Sequence, residues 1–246
     1  MNPELQDTLN EFLLTLEEVD ILLSSAERSI NEETKYAAYN KSALLLLSGK
    51  FENFVELVAE EYIFLVNNLN LRSSLLPETI KLSHTYSIIK QLDKELERSI
   101  SSDESGTITR LLNEIGQIWV LDAAFNRLNI NCKFSYGKHG EKELIKLFLP
   151  LGISDVFAEV KVSIPDENIG NEQTQKKVDF KGVFNSVMHM RNNILHQNAS
   201  PSLTHESVRE YKFALQGFAN AVCVVLDNKL NLLIDAANYG VKHIAT

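Results

Sequence analysis

A long helical stretch in the first third of the chain most constrains what the protein can fold into. The middle of this stretch, ALLLLSGKFENFVELVAEEYIFLV, carries apolar residues on more than one helical face. A helix that is apolar around much of its circumference must be covered by other elements on several sides. The sequence therefore predicts a long central helix from about Asn31, which would act as the N-cap, to about Asn67.

The amino-acid composition favours helices over sheets. The 246 residues include 10 glycines and 5 prolines, too few for the many turns of a sandwich or barrel. With 44% hydrophobic residues the chain can bury a sizeable core, and its length fits one domain better than two. We expect an all-α helical bundle that forms a single domain over residues 1–246.

Further helices are predicted on both sides of the central one. A first helix should carry Pro3 in its first turn, and the last should be capped by Ser202 or Thr204. Weak periodicity and glycines around residues 129–152 and 161–175 predict loops, so an irregular insert should separate the core helices. Besides the central helix, helices are expected at about 3–29, 107–125 and 141–148. Another should follow the turn around Pro77 and end at about residue 99, a further one should contain residues 183–194, and the last should begin at about residue 205.

Cysteine usage and apolar runs bear on the compartment. Cys132 and Cys223 lie far apart without CxxC or metal-binding spacing, which favours a reducing compartment, and Cys223 sits on an apolar face typical of a core. The N-terminus does not resemble a signal peptide, and the longest strongly apolar run, residues 43–47, is far too short to span a membrane. We expect a soluble, cytoplasmic protein without a membrane partner.

Common nucleotide and metal signatures are missing from the sequence. It has no GxxxxGK[ST], GxGxxG after a strand, HExxH, GxSxG or EF-hand loop. Adjacent glutamates such as Glu60 and Glu61 lack an accompanying ExxH pattern, so they fit solvated helix faces better than metal ligands. We expect neither a cofactor nor a bound metal.

The net charge of −9 argues against coating nucleic acid by bulk electrostatics. The charge is uneven: residues 1–123 carry 10 Lys+Arg and 21 Asp+Glu, whereas residues 124–246 carry 14 and 12. Any site for a polyanion therefore belongs in the second half. Ordinary solvated acidic helices in the first half explain the asymmetry equally well.

The segment MRNNILHQN, residues 190–198, is polar but holds no acid. Projected onto a helix, the core stripe comprises Val183, Val187, Met190 and Ile194, and a second stripe comprises Asn185, His189, Asn192 or Asn193, and His196. A solvated face in this chain would carry Glu and Lys, so the neutral polar groups indicate a cleft or a protein interface. The alternative is a buried helix pair joined by Asn and His hydrogen bonds.

Arg191 and His196 are five residues apart. On an ideal helix this separation turns roughly 140° and rises about 7.5 Å, so the two side chains do not share a face. Either the helix ends at residues 195–197, or two copies of the helix share one site.

The segment RNNILH, residues 191–196, resembles the R-polar-x3-H form of the Rx4-6H motif of the HEPN superfamily. The similarity extends to ALLLLSGKFENFVELVAEEY, KFSYGKHGEKELIKLFLPLGI and RNNILHQNASPSLT, which resemble in order the MAE-like branch of HEPN proteins. This resemblance implies a HEPN-like helical bundle that forms a homodimer. Many members are metal-independent RNases of toxin-antitoxin or phage-defence systems, and others are non-catalytic modules.

Carried onto this chain, the motif makes Arg191, Asn192 and His196 the candidate catalytic residues. Imidazole, with an unperturbed pKa of about 6.5, suits proton transfer to and from RNA oxygens, and a guanidinium suits the negative phosphorane. Asn192 would orient either one. Candidate substrate-binding or supporting residues are His189, Asn193 and Asn198, and His205 is expected near solvent at a helix start.

Two functions from different classes are therefore expected. The first is a metal-independent endoribonuclease whose dimeric Arg/His site leaves 2′,3′-cyclic phosphate ends on its RNA substrate. The second is a non-catalytic helical module that binds RNA, a nucleotide or a protein partner through the same polar stripe. An antitoxin or another defence protein is a candidate partner for either one.

Overall fold

The fold was analysed in a computed structural model, which describes residues 1–102, 106–121, 124–125, 127–134, 140–165, 175–196 and 202–242. Helices dominate this part of the chain, and the predicted all-α bundle is confirmed. Two 3-10 turns, at Ser73–Leu75 and Leu149–Leu151, and a two-stranded sheet complete the regular structure described.

The first predicted helix is two helices, α1 (Pro3–Thr15) and α2 (Glu17–Arg28). At the break the Thr15 hydroxyl donates to the Phe12 carbonyl at 2.7 Å, and the Leu16 amide donates to Leu13 rather than to a carbonyl four residues back. Apolar periodicity continues across the break, so the sequence does not reveal it.

The central helix, α3 (Glu33–Asn68), is confirmed and packs against α1, α2 and the last two helices, α8 (Phe180–His196) and α9 (His205–Lys242). Its fully buried residues cover several faces, as the apolar pattern predicts. The predicted Asn31 cap is wrong, because the N-cap is Glu32 and it makes no side-chain cap hydrogen bond. Glu32 forms an ion pair with Lys35 instead.

Two helices pack against each other as a hairpin, α4 (Glu78–Ser102) and α5 (Gly106–Trp119), and contribute Ile80 and Ile118 to the core that contains α3. Helix α5 ends earlier than predicted, and Phe125 lies beyond it in non-helical chain. Residues 127–134, which follow without regular structure, are held by side-chain acceptors of other elements. Asn67 accepts from the Leu128 amide at 2.7 Å, and Glu56 accepts from the Phe134 amide at 2.7 Å.

The irregular middle of the chain contains more regular structure than predicted. Helix α6 (Gly140–Phe148) matches the prediction, but α7 (Val156–Glu159) and the antiparallel strands β1 (Ser163–Pro165) and β2 (Gln175–Lys177) were missed. The strands are only three residues long, too short to show a period of two. The hairpin packs on α9 at Gly217, where a Cβ atom would lie 2.9 Å from the Ser163 carbonyl oxygen.

The last two helices are α8 (Phe180–His196) and α9 (His205–Lys242). The predicted Thr204 cap is confirmed, since its hydroxyl accepts from the Ser207 amide at 3.2 Å. An aromatic cluster joins α3, α8 and α9: the Phe180 and Phe218 rings stack at 4.4 Å, and Phe51 lies 5.6 Å from Phe218. This cluster fixes the helix that carries the motif against the core.

Candidate functional site

Helix α8 holds residues 191–196 at its C-terminal end. Near its start the Asp179 carboxylate accepts from the Gly182 amide at 3.2 Å. Phe184 and Val187 are fully buried and Met188 is nearly so. Helix α6 approaches closely at Gly140, where an added Cβ would lie 2.7 Å from Met188 Cγ. The buried face of α8 therefore includes Phe180 and Phe184 as well as the predicted Val187.

Arg191 and Asn192 are half-buried neighbours on this helix. The Arg191 guanidinium donates to Asn192 Oδ1 at 3.0 Å, which agrees with an orienting role for Asn192. Glu52 of α3 is close enough to interact electrostatically with Arg191. Burial raises the pKa of the Glu52 carboxyl, the positive charge of Arg191 opposes this rise, and the negative charge of Glu56 adds to it.

His189 and Asn193 form a second polar pair one turn apart. Asn193 Nδ2 lies 3.0 Å from His189 Nε2, so the two predicted supporting residues contact each other. His189 is exposed and Asn193 is half-buried. This pair lies on the surface of the single chain rather than in a buried helix contact.

His196 is exposed and is the last residue of α8. Arg191 and His196 belong to one continuous helix, so their side chains leave it in directions roughly 140° apart. The described part of α8 runs to His196, and an end at this position does not bring the two side chains onto one face. Asn198, the remaining predicted site residue, lies outside the described residues.

Acidic side chains from other helices lie next to the polar stripe of α8, although the stripe itself contains no acid. Glu141 of α6 accepts from Asn185 Nδ2 at 3.0 Å and pairs with Lys181 at 3.2 Å. On α3, the acids Glu52, Glu56 and Glu60 recur every four residues, and Lys133 bridges the last two at 3.1 Å each. The spacing of these glutamates is visible in the sequence, but their place beside residues 133 and 191 is not.

Two histidines that lie outside the motif are structural in this chain. The expectation that His205 lies near solvent is wrong: it is 5% exposed, and its Nδ1 lies 3.1 Å from the Tyr36 hydroxyl. His84 accepts from the Asn129 amide at 2.8 Å. His205 thus anchors the start of α9 to α3, and His84 anchors the segment after α5.

The described residues contain no group of three or more His, Cys, Asp or Glu side chains placed to hold a metal ion. Both cysteines in the chain, Cys132 and Cys223, are free and buried. The prediction that Cys223 lies in the core is confirmed.

One helix, α9, is long and apolar enough over His205–Asn238 to cross a membrane, with a mean hydropathy of 1.3. The sequence shows no unbroken apolar run of membrane-spanning length in α9, because polar residues interrupt its apolar residues. Length and composition alone are weak evidence, since core helices of soluble proteins pass the same test. Here α9 packs against α1, α2, α3 and α8 and fully buries residues such as Leu215 and Phe218.

The fold and a match to a family profile define the class of protein. An all-α bundle with a polar Arg-to-His segment at the end of the helix before its last long helix has the features implied by the HEPN resemblance. The sequence profile of the RiboL-PSP-HEPN family matches residues 10–228. The chain therefore belongs to the RiboL-PSP-HEPN family, within the HEPN superfamily. No curated protein and no solved structure matches the chain.

Proposed function

We propose that this protein is a metal-independent endoribonuclease of a toxin-antitoxin or phage-defence system that acts in the cytoplasm as a homodimer. The observation that carries the proposal is an intact Arg-Asn-x3-His segment, residues 191–196, at the accessible end of α8 in a chain of a HEPN family. We assign this segment to the Rx4-6H motif and the chain to the MAE-like branch. An antitoxin or another defence protein is its proposed partner.

In the proposed reaction the RNA 2′-oxygen attacks the adjacent phosphorus and the bond from phosphorus to the 5′-oxygen breaks. One His196 takes the 2′-OH proton, and His196 of the second copy donates a proton to the departing 5′-oxygen. Arg191 donates to the phosphorane oxygens, which carry more negative charge than the substrate phosphate. The roughly 140° between Arg191 and His196 motivates the dimer, because two copies across one groove supply both side chains.

Cleavage of a broad RNA panel tests the chemistry. Activity should survive EDTA and leave 2′,3′-cyclic phosphate and 5′-OH ends, because the nucleophile belongs to the RNA itself. A strict Mg²⁺ requirement or 5′-phosphate products would refute the mechanism. Sedimentation at micromolar concentration should show a dimer through α8 and α9, and a species of 27.8 kDa alone would count against the composite site.

Substitutions separate proton transfer from binding. His196→Ala should abolish cleavage and leave RNA association nearly unchanged, whereas Lys90→Ala, an exposed residue on α4 outside the proposed site, is the control and should retain full activity. Arg191→Ala should weaken both binding and cleavage, and Arg191→Lys should restore binding better than cleavage because it lacks the planar fork. Cleavage by His196→Ala at the wild-type rate would show that the site is misassigned.

The second candidate function is a non-catalytic module that binds RNA, a nucleotide or a protein partner through the same residues. The acids around the motif favour it: Glu52 lies beside Arg191 and Glu141 beside Asn185, so the phosphate backbone meets little uncompensated positive charge. If wild-type protein cleaves no RNA in the panel while Arg191→Ala loses a partner or nucleotide, the module is the correct assignment.

A further inference from the structure

A large cleft lies between the C-terminal half of α3, the α4–α5 hairpin and residues 127–132. Its volume is about 1210 Å³. None of the described residues that line it belongs to segment 191–196, so the cleft is separate from the proposed RNA site. The proposed function makes no use of it.

His84 places a buried donor at this cleft. The residue is only 1% exposed, yet it lines the cleft. Its Nδ1 accepts from the Asn129 amide at 2.8 Å, and a neutral imidazole with an acceptor at Nδ1 carries its proton on Nε2. Among the described residues, Asn129 is the one hydrogen-bond partner of His84, so Nε2–H remains available to a ligand.

Two arginines line the same cleft. Arg127 is exposed and lies two residues before Asn129; it has no ion-pair partner among the described residues. Arg110 is paired with Glu114 one turn along α5, and Glu114 also interacts electrostatically with His84. An anionic ligand would therefore meet two guanidinium groups and compete with a single carboxylate for one of them.

The two acids among the described residues that line the cleft equal its two arginines in number, but both acids are already paired, which favours an anion over a cation at Arg127. Glu60 and Glu114 are the acids among its described lining residues, and each already pairs with a basic side chain, Lys133 and Arg110 respectively. Apolar side chains, including Ile63 and Phe125, form part of the wall. The cleft is far larger than a bare phosphate or carboxylate, so its occupant should also have an organic body.

We propose that this cleft binds a small organic oxyanion, a phosphate ester or a carboxylate. Its charged group would lie against Arg127, Arg110 and His84 Nε2, and its apolar body against Ile63 and Phe125. This site is independent of RNA cleavage, because it shares no lining residue with the motif.

Isothermal titration calorimetry of the full chain with phenyl phosphate and with phthalate tests the proposal. Comparing the two probes distinguishes binding of a phosphate ester from binding of a carboxylate. At least one probe should bind. Arg127→Gln should weaken its binding about tenfold or more, as expected for the loss of a charge-assisted contact. Arg28→Gln, an exposed arginine on α2 far from the cleft lining, is the matched control and should bind like wild type.

A gain of affinity provides the sharper test. Glu114→Gln removes the carboxylate that competes for Arg110, so the probe should bind about threefold tighter or better. Absence of binding by both probes at 10 mM would overturn the proposal. Equal affinities of Arg127→Gln and wild type would overturn it as well. Since these titrations contain no RNA, their failure would leave the proposed nuclease untouched.

Discussion

Phe51 should be the residue of α3 on which the position of α8 depends most. Its ring is fully buried and lies within 6.4 Å, centre to centre, of five other rings that come from α1, α3, α8 and α9. Replacing it by alanine removes a whole ring from a site walled by several helices, which cannot all close the space. We expect Phe51→Ala to lower the free energy of unfolding by about 4 kcal/mol, in the upper part of the range for such substitutions.

Phe64 offers a matched control on the same helix. Its side chain is 55% exposed, so Phe64→Ala loses little burial and gains slightly in helix propensity. We expect a change below about 1 kcal/mol. Phe51→Leu, which retains most of the buried volume, should cost about 1 kcal/mol and keep α8 in place.

Urea unfolding followed by circular dichroism measures these differences at equilibrium. A domain of this size typically has about 5–15 kcal/mol of stability, so Phe51→Ala should shift the midpoint strongly but leave a folded baseline. Equal costs for Phe51→Ala and Phe64→Ala would refute the packing argument. A large change in the denaturant slope would instead place the effect in the unfolded state.

Three further predictions concern charge and protonation. Glu52→Gln should raise RNA affinity about two- to fivefold in fluorescence anisotropy, because Arg191 loses a competing carboxylate, and unchanged affinity would contradict this. Burial lowers the pKa of His84, so the folded protein binds fewer protons at this residue than the unfolded chain. The free energy of unfolding should therefore fall as the pH drops below about 6.5. The stability advantage of wild type over His84→Gln should shrink when the pH is lowered from 7.5 to 5.5. Burial raises the pKa of the Cys132 and Cys223 thiols to about 12, so a thiol reagent should modify both only after denaturation, and rapid labelling of native protein would disprove their burial.

The helical class could be predicted because it depends on local periodicity. The apolar pattern of α3 holds over residues 43–66, about seven turns. Thr204 and Pro3 are strong local signals of helix starts. The break at Leu16 escaped prediction because the apolar spacing continues across it. The β1–β2 hairpin escaped because its strands are too short to show a pattern.

The candidate site was predicted less completely, because its chemistry depends on contacts between distant parts of the sequence. The contacts of Asn192 with Arg191 and of Asn193 with His189 join residues that are close in the sequence of one helix, so the sequence can predict them. The burial of His205 does not, since it depends on Tyr36, which lies 169 positions earlier. The acids contributed by α3 and α6 are missed for the same reason.

The pairing of acids with bases around residues 191–196 limits how a chain of net charge −9 would bind phosphate there. Most of its negative charge lies in the first half, and part of that half, the α3 row Glu52, Glu56 and Glu60, faces basic residues of the second half. Charges paired in this way contribute little long-range field. In the proposed nuclease, affinity at residues 191–196 would come from short-range contacts to one or two phosphates rather than from steering along a basic surface, and a dimer would double these contacts. A small, dimeric contact set of this kind favours cleavage of exposed single strands over coating of long RNA.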